Sequence, residues 1–373
     1  MTFFSILLPS RKGENYIENV IKSILDQDFT DYEIIIGDNN NTDVFIEKIK
    51  KFNNKKIKIY RSNITLEVAK SWSNCLNNSS GKYIITLGDD DCLLCDGLKT
   101  IYKLLKNNNF PDCLSVNGIA FYESQSALEF KNTAYKPQFW EYKKSFLKKG
   151  YINDNEKRKI VKELFSFKNL LPLNMQPHIF SKDISNLVSN GIFQPSAPDA
   201  YAICSLLMKS KKWCISDKKV FAIGMSKKSF GFFYHNNKIT EGKQFLGSEL
   251  EGNFVPGSVL NDYLYTTLNN LKTLQSEVFK DYRINRSAYL SRQFFVSVEK
   301  FIKEKNFFYL RNYFIQLRKK EILKLILGLL DLSLYYKGMQ RLLYAIIKKN
   351  FNFQKTVILN KKINIYDFTR QKN

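Results

Sequence analysis

The first ~120 residues alternate short apolar runs with amphipathic stretches, and this alternation restricts the fold more than any other feature of the chain. The predicted strands are Phe3–Leu8, Tyr32–Ile36, Ile57–Tyr60 and Tyr83–Leu87, and apolar residues recur at helical spacing over 16–25, Val44–Phe52 and Leu66–Leu76. Strands joined through helices are typical of βαβ units. We therefore expect an α/β fold built on a mostly parallel sheet flanked by helices.

Polar clusters follow three of these predicted strands. They are Pro9–Lys12, Gly37–Asn41 and Gly88–Asp91. Because the carboxyl ends of parallel strands lie at one edge of a sheet, where ligands collect, we expect the three clusters to face one crevice. The second cluster can equally be a plain polar turn that caps the next helix through Thr42 or Asp43.

The third cluster contains three consecutive acids, Asp89, Asp90 and Asp91, in a chain with 58 Lys and Arg against 35 Asp and Glu. Adjacent carboxylates repel one another, so such a run is either a solvated turn or a group neutralised by a cation. Alternate residues of an extended segment point the same way, which allows Asp89 and Asp91 to share a divalent ion.

The formal charge of +23 predicts an anionic partner: nucleic acid, anionic lipid or a phosphate-bearing substrate. Lys300–Asn373 carries seventeen of the basic residues and only four acids. Its apolar residues repeat at helical spacing, which predicts a mainly helical C-terminal region. Two interpretations stay open: a bundle packed on the catalytic domain, or a bundle with one face on an anionic membrane.

The length of 373 residues predicts two domains, which we place at 1–230, with a nucleotide-binding half near 1–120 and an acceptor half near 121–230, and at 231–373. The six cysteines show no disulfide framework and the first residues no leader, so we expect a reducing cytoplasm. Every apolar run falls short of the ~18 residues of a membrane span.

The stretches "SILLPSRKGENYIENVIKSILDQDFTDYEIIIGDNNNTD" and "SWSNCLNNSSGKYIITLGDDD" resemble glycosyltransferase family 2. The resemblance covers about residues 2 to 120. It implies a GT-A fold and an inverting transfer of a sugar from a UDP-, dTDP- or GDP-sugar, with Mn²⁺ or Mg²⁺ stabilising the charge of the departing diphosphate. Processive members of the family differ, because their Gln-x-x-Arg-Trp motif is absent here.

The same resemblance assigns roles residue by residue. It implies that Asp91 binds the metal, with Asp89 on the metal or on the ribose, and that Asp38 receives the base, against which Pro9 and Ser10 pack. The other residues expected to bind the nucleotide-sugar are Arg11, Glu14, Asn40, Lys70 and Asp90. Arg11-Lys12 and Asn39-Asn40 depart from the family pattern and leave the identity of the base open.

An inverting transfer also needs a base for the acceptor hydroxyl. Asp199 follows Pro195 and Pro198 and precedes a helical apolar run, so it is expected at a helix N-terminus. A simple helix cap explains it too. The family has an Asp in a similar Pro-rich loop as its catalytic base, which favours that role for Asp199.

Together these features predict a metal-dependent enzyme that transfers one sugar to a glycan or lipid-linked glycan of a bacterial surface polysaccharide or oligosaccharide. It would work in the cytoplasm or peripherally on the inner face of the cytoplasmic membrane. The alternatives are a basic nucleic-acid-binding protein and a sugar nucleotidyltransferase. The first leaves the acids at the strand ends unexplained, and the second lacks its Gly-rich loop after the first strand.

Overall fold

The computed structural model describes residues 2–124, 131–226, 239–248, 250, 252–346 and 356–371. Its strands belong to one mixed sheet. Their bounds are β1 Phe4–Ser10, β2 Tyr32–Asn39, β3 Ile57–Ser62, β4 Tyr83–Thr86, β5 Cys92–Leu93, β6 Cys113–Tyr122, β7 Ala134–Lys136, β8 Tyr151–Ile152, β9 His178–Ser181, β10 Trp213–Gly224 and β11 Val357–Ile358.

Helices connect the strands and make up most of the later part of the chain. Their bounds are α1 Ile17–Leu25, α2 Asp43–Lys50, α3 Val68–Asn77, α4 Gly97–Asn107, α5 Lys144–Lys149, α6 Asp154–Leu164, α7 Lys182–Asn186, α8 Pro198–Lys209, α9 Ile239–Leu246, α10 Val259–Leu274, α11 Ser276–Phe279, α12 Arg286–Glu304, α13 Phe308–Gln316, α14 Ile322–Leu330, α15 Leu332–Ile346 and α16 Ile365–Arg370. The prediction of a mostly parallel α/β sheet followed by a helical region is confirmed.

The register of β1 with its neighbours brings the predicted clusters together. β1 pairs in parallel with both β2 and β4, with Ser10 opposite Asp38 and Leu7 opposite Thr86. The three strands therefore end at the same edge of the sheet. Their side chains are buried on both faces, as near-continuous apolar strands in parallel sheets are, so the edge is the part of these strands that can meet a ligand.

Contacts divide the chain into two compact units, 1–159 with 170–248 and 356–373, and 160–169 with 249–355. The domain boundaries predicted from the sequence stay a prediction. The first unit holds the sheet, and its C-terminal segment adds β11 to β7 in antiparallel pairing. In that segment Phe368 is buried between the rings of Phe121 and Tyr135, at centroid distances of 5.1 and 5.0 Å.

In the second unit, α12 is the central helix, and α13, α14 and α15 all pack on it. The buried Asp262 carboxylate accepts from Tyr289 Oη at 2.6 Å and from Gln293 Nε2 at 2.8 Å. Arg286 Nε bonds Glu321 Oε1 at 2.7 Å. These polar contacts between helices help to hold them in one arrangement.

Among the described residues, no helix is both long and apolar enough to cross a membrane.

We predict that Phe368→Ala lowers the free energy of unfolding by about 3 kcal/mol, because it leaves a cavity between two packed rings. The same truncation at Ile358, exposed in the same segment, is the matched control and should cost less than about 0.5 kcal/mol. Urea denaturation followed by fluorescence measures both. Equal effects of the two changes would show that the segment does not pack on the sheet.

Candidate active site

Hydrogen bonds join the three clusters at the sheet edge. Ser10 Oγ, at the end of β1, donates to Asp89 Oδ2 at 2.5 Å. Asn41 Nδ2 donates both to the Ser10 carbonyl at 2.9 Å and to Asp38 Oδ1 at 2.8 Å. The backbone follows closely, since a Cβ on Gly13 would lie 2.1 Å from Ser10 Oγ. The clusters thus form one site, as the strand ends predict.

Asp91 is buried and accepts hydrogen bonds from three separate segments. Its Oδ2 accepts from Gly88 N at 2.6 Å and from Gln176 Nε2 at 2.9 Å, and its Oδ1 accepts from Gly224 N at 2.9 Å. Burial, with the neighbouring carboxylate of Asp90, raises the pKa of Asp91 to about 8, against the effect of the three donors. Both oxygens of this carboxylate are engaged inside the protein.

Asp89 and Asp90 differ from Asp91 because they are half-buried and line a cleft. The cleft encloses about 760 Å³ between its lining atoms, open solvent included. Its lining residues are Pro9, Ser10, Arg11, Asn39, Val68, Ser71, Trp72, Thr86, Leu87, Gly88, Asp89, Asp90, Gln176 and Ser226. The described residues contain no group of three or more His, Cys, Asp and Glu arranged to hold a metal.

Two cleft carboxylates nevertheless fit a magnesium-like ion. Such ions commonly take one or two protein carboxylates and complete their shell with substrate phosphates and water. Asp89 and Asp90 supply hard oxygen ligands at the edge of an open cleft. They are the residues that would hold Mn²⁺ or Mg²⁺ together with a bound diphosphate.

The structure brings only part of the predicted nucleotide-sugar set into the cleft. Pro9, Ser10, Arg11, Asp89 and Asp90 line it. Arg11 Nη1 also donates to the Gln244 carbonyl at 3.1 Å, and burial lowers the pKa of Arg11.

The remaining residues of the predicted set lie outside the lining of the cleft. Glu14 accepts from the Thr42 hydroxyl at 3.1 Å, and Asn40 donates to Thr65 Oγ1 at 3.2 Å. Lys70 is exposed, and its Nζ lies 3.6 Å from Glu67 Oε1. These three side chains make surface contacts beside the site.

Asp38 is also outside the cleft lining, although it was expected to receive the base. Its side chain is fully buried, and Arg61 Nε lies 3.3 Å from its Oδ2. Its Oδ1 accepts from the backbone N–H of Asn41 at 2.9 Å. Oδ1 of Asp38 therefore shapes the turn after β2, whereas the buried Oδ2 accepts no hydrogen bond from the described residues.

Several lining residues were not predicted. Val68, Ser71 and Trp72 lie on one face of α3 at helical spacing, so the polar and aromatic residues of that face were a usable signal. Asn39 binds the Leu66 backbone through both its amide oxygen, at 2.7 Å, and its amide nitrogen, at 3.0 Å. Gln176 has no local pattern that marks it, because its partner is 85 residues away.

Asp199 lies in the first turn of α8, one residue after Pro198. The residue in the N-cap position is Ala197, so Asp199 does not cap this helix in the usual way. Asp199 is not among the residues that line the cleft, but its Oδ1 accepts from Met175 N at 2.8 Å, and Gln176, which follows Met175 in the chain, does line it. Burial raises the pKa of Asp199 to about 7, although the Met175 hydrogen bond lowers it.

Comparison with known proteins agrees with this geometry. Residues 5–160, which include β1 to β4 and the three acids, match the profile described as Glycosyl transferase family 2. These residues form a glycosyltransferase family 2 domain. The resemblance seen in the strand-end motifs is confirmed.

Two relatives of this family 2 domain are bacterial. The chain is 30% identical over 105 residues to the Escherichia coli UDP-Glc:alpha-D-GlcNAc-diphosphoundecaprenol beta-1,3-glucosyltransferase WfgD, covering 28% of this chain and 42% of the relative. It is 26% identical over 172 residues to the Campylobacter jejuni GalNAc(5)-diNAcBac-PP-undecaprenol beta-1,3-glucosyltransferase, covering 41% and 56%. The chain spans about half the length of these relatives.

Among solved structures, residues 1-349 of Staphylococcus aureus TarS in complex with UDP-GlcNAc align with 94% of this chain and 93% of their own. The identity is 14% and the TM-score 0.49.

We predict that Asp91→Asn lowers the free energy of unfolding by about 2 kcal/mol, because an amide NH₂ would face at least one of the three buried N–H donors. Asp90→Asn, at a half-buried cleft position, is the control and should change it by less than about 0.5 kcal/mol. Thermal and urea unfolding measure both. If the two variants unfold alike, Asp91 is not the residue that links the three segments.

Proposed function

We propose that this family 2 domain makes the chain a metal-dependent, inverting glycosyltransferase that moves one sugar from a nucleotide-sugar to a glycan or lipid-linked glycan. The observation that carries the proposal is the pair of cleft carboxylates, Asp89 and Asp90, at the shared end of β1 and β4 inside the matched residues. These carboxylates would repel an anionic substrate bound beside them, so a cation is needed between the two.

The donor is a UDP-, dTDP- or GDP-sugar whose diphosphate lies beside Asp89 and Asp90. Bound there, Mn²⁺ or Mg²⁺ supplies Lewis-acid stabilisation of the charge on the departing diphosphate. We assign the metal to these two residues and give Asp91 a supporting role, since both of its oxygens already accept hydrogen bonds. Ser10 Oγ holds Asp89 in place by its hydrogen bond.

The nucleoside part of the donor lies along β1, β2 and α3. Pro9 and Arg11 contribute from the end of β1, and Trp72 offers an aromatic surface from α3. We take Asn39 rather than Asp38 as the β2 residue that meets the donor, because Asn39 lines the cleft and Asp38 does not. Glu14, Asn40 and Lys70 then support the loops around the donor.

Asp199 acts as the base in this proposal. Its carboxylate takes the proton of the acceptor hydroxyl while that oxygen bonds to the anomeric carbon. The bond from this carbon to the phosphate oxygen breaks on the opposite side, and the nucleoside diphosphate leaves with its electron pair. A base works best with a pKa near the operating pH, and burial raises the pKa of Asp199 to about 7.

The relatives support one class of acceptor. Two of them are named for sugar transfer to diphosphoundecaprenol- or PP-undecaprenol-linked glycans. We extend this class to the present chain as lipid-linked intermediates of a bacterial surface polysaccharide or oligosaccharide. For such an acceptor we propose that the enzyme works in the cytoplasm or peripherally on the inner face of the cytoplasmic membrane.

We predict metal-dependent nucleotide binding that needs the cleft carboxylates. With Mn²⁺, a matching nucleoside diphosphate at 100 times its dissociation constant should stabilise the protein by about 2.7 kcal/mol. Asp89→Asn and Asp90→Asn should abolish this shift, and Asp96→Asn, at an exposed site in the same segment, should keep it. Thermal unfolding against UDP, dTDP and GDP, with Mn²⁺ or with chelator, measures the shift. Binding that survives chelation and both substitutions contradicts the proposal, as does a larger shift with nucleic acid.

We predict that Asp199→Asn lowers kcat by about two to four orders of magnitude while donor affinity stays nearly unchanged. The Asn oxygen can still accept from Met175 N, so the loop keeps its hydrogen bond. In the unmodified enzyme the ionised base is the active form, so kcat should rise with pH through about 7 and then level off. Steady-state kinetics from pH 5.5 to 9 tests both. Retained turnover in the variant, or a profile without this rise, would return Asp199 to a structural role.

A further inference from the structure

Helix α14 exposes an almost continuous aliphatic surface. Only Leu325 and Gly328 are buried, and Gly328 lies against the Ser287 carbonyl of α12, which a Cβ would approach to 2.2 Å. The outward side chains are Ile322, Leu323, Ile326, Leu327 and Leu330. An aliphatic surface on nine consecutive residues is more than scattered exposure of single apolar residues explains.

Helix α15 continues this surface. Its exposed apolar residues recur every three or four positions and so form one stripe along the helix. They are Leu332, Tyr335, Met339, Leu343 and Ile346. The opposite side packs on α12, where Leu334 is buried and Gly338 closely approaches Phe295. We call the outward residues of the two helices the α14–α15 apolar face.

The charges around this face are basic. Lys319, Lys320 and Lys324 are all exposed at its start. The two acids of residues 318–346 form ion pairs. Glu321 Oε1 lies 2.7 Å from Arg286 Nε, and Asp331 Oδ2 lies 3.0 Å from Lys168 Nζ. Internal ion pairs thus neutralise the acids and leave lysines beside the apolar residues. An apolar face bordered by lysines is complementary to a partner with an apolar interior and an anionic outer layer.

We propose that the α14–α15 apolar face inserts into the headgroup region of an anionic lipid bilayer, with Lys319, Lys320 and Lys324 on the lipid phosphates. Helix α14 has nine residues, about 14 Å, so it lies in the interface and does not span the bilayer. Tyr335 has the amphipathic ring that favours this depth. This inference rests on the proposed function in one respect: a lipid-linked acceptor would be reached from the membrane surface.

Vesicle flotation with the full chain and no nucleotide or acceptor tests the contact independently of catalysis. The chain should float with vesicles of equal phosphatidylglycerol and phosphatidylcholine, and be released by high salt. Leu327→Asn with Leu330→Asn should weaken binding about tenfold or more. Ile64→Asn with Leu187→Asn is the matched control, because these side chains are 68% and 60% exposed against 55% and 69% for the test pair. The control should bind as the unmodified chain does.

The lysines are tested in the same way. A triple variant with Gln in place of Lys319, Lys320 and Lys324 should bind the vesicles about a hundredfold more weakly, because each lost charge lowers the affinity about fivefold. The same change at the exposed Lys50, Lys51 and Lys55 should have less than about a twofold effect. Equal losses in both triple variants would show that only the overall charge binds lipid, and would overturn the assignment to this face.

A second copy of the chain is the competing occupant of an apolar face. A dimer by analytical ultracentrifugation that Leu327→Asn with Leu330→Asn dissolves, together with absent flotation of the unmodified chain, would overturn the proposal. Leu330→Trp keeps the position apolar and guards against misfolding of the Asn pair. Its fluorescence should shift to the blue on phosphatidylglycerol vesicles, and Leu187→Trp should not. No shift at position 330 would also contradict insertion.

Discussion

The site depends on the buried carboxylate of Asp91. Its two oxygens accept from Gly88 after β4, from Gly224 at the end of β10 and from Gln176 before β9. A Cβ on Gly224 would lie 2.0 Å from the Asp90 carbonyl, so the backbones of these segments nearly touch. The three consecutive acids thus differ in their surroundings: Asp91 is hydrogen-bonded inside the protein, and Asp89 and Asp90 line the cleft.

The parallel register of the sheet supplies the other half of the site. Ser10 ends β1 opposite Asp38, and its hydroxyl reaches across to Asp89. Asn41 then ties the Ser10 carbonyl to Asp38. These bonds connect the ends of β1, β2 and β4. Asp89 is thereby held by a residue of a buried strand. Such support on buried strands limits the motion of the cleft carboxylates.

Much of this architecture could be predicted from the sequence. The strands predicted at Tyr32–Ile36 and Ile57–Tyr60 form over Tyr32–Asn39 and Ile57–Ser62, because apolar runs between turn residues are a local signal. The different burial and hydrogen bonding of the three acids could not be predicted. Asp89, Asp90 and Asp91 are identical in kind, and what separates them is contact with residues 85 and 133 positions away. Asp38 and Asn39 differ in the same way, since Asp38 lies beside Arg61 and Asn39 binds the Leu66 backbone.

In the proposed function, Asp89 and Asp90 hold the metal and Asp91 holds the loop. The most direct measurement is anomalous scattering from Mn²⁺ in crystals grown with a bound nucleoside diphosphate. We predict a peak within about 2.5 Å of a carboxylate oxygen of Asp89 or Asp90 and of the diphosphate, with Asp91 still bonded to Gly88 and Gly224. A manganese ion coordinated by Asp91, with those two hydrogen bonds broken, would contradict it.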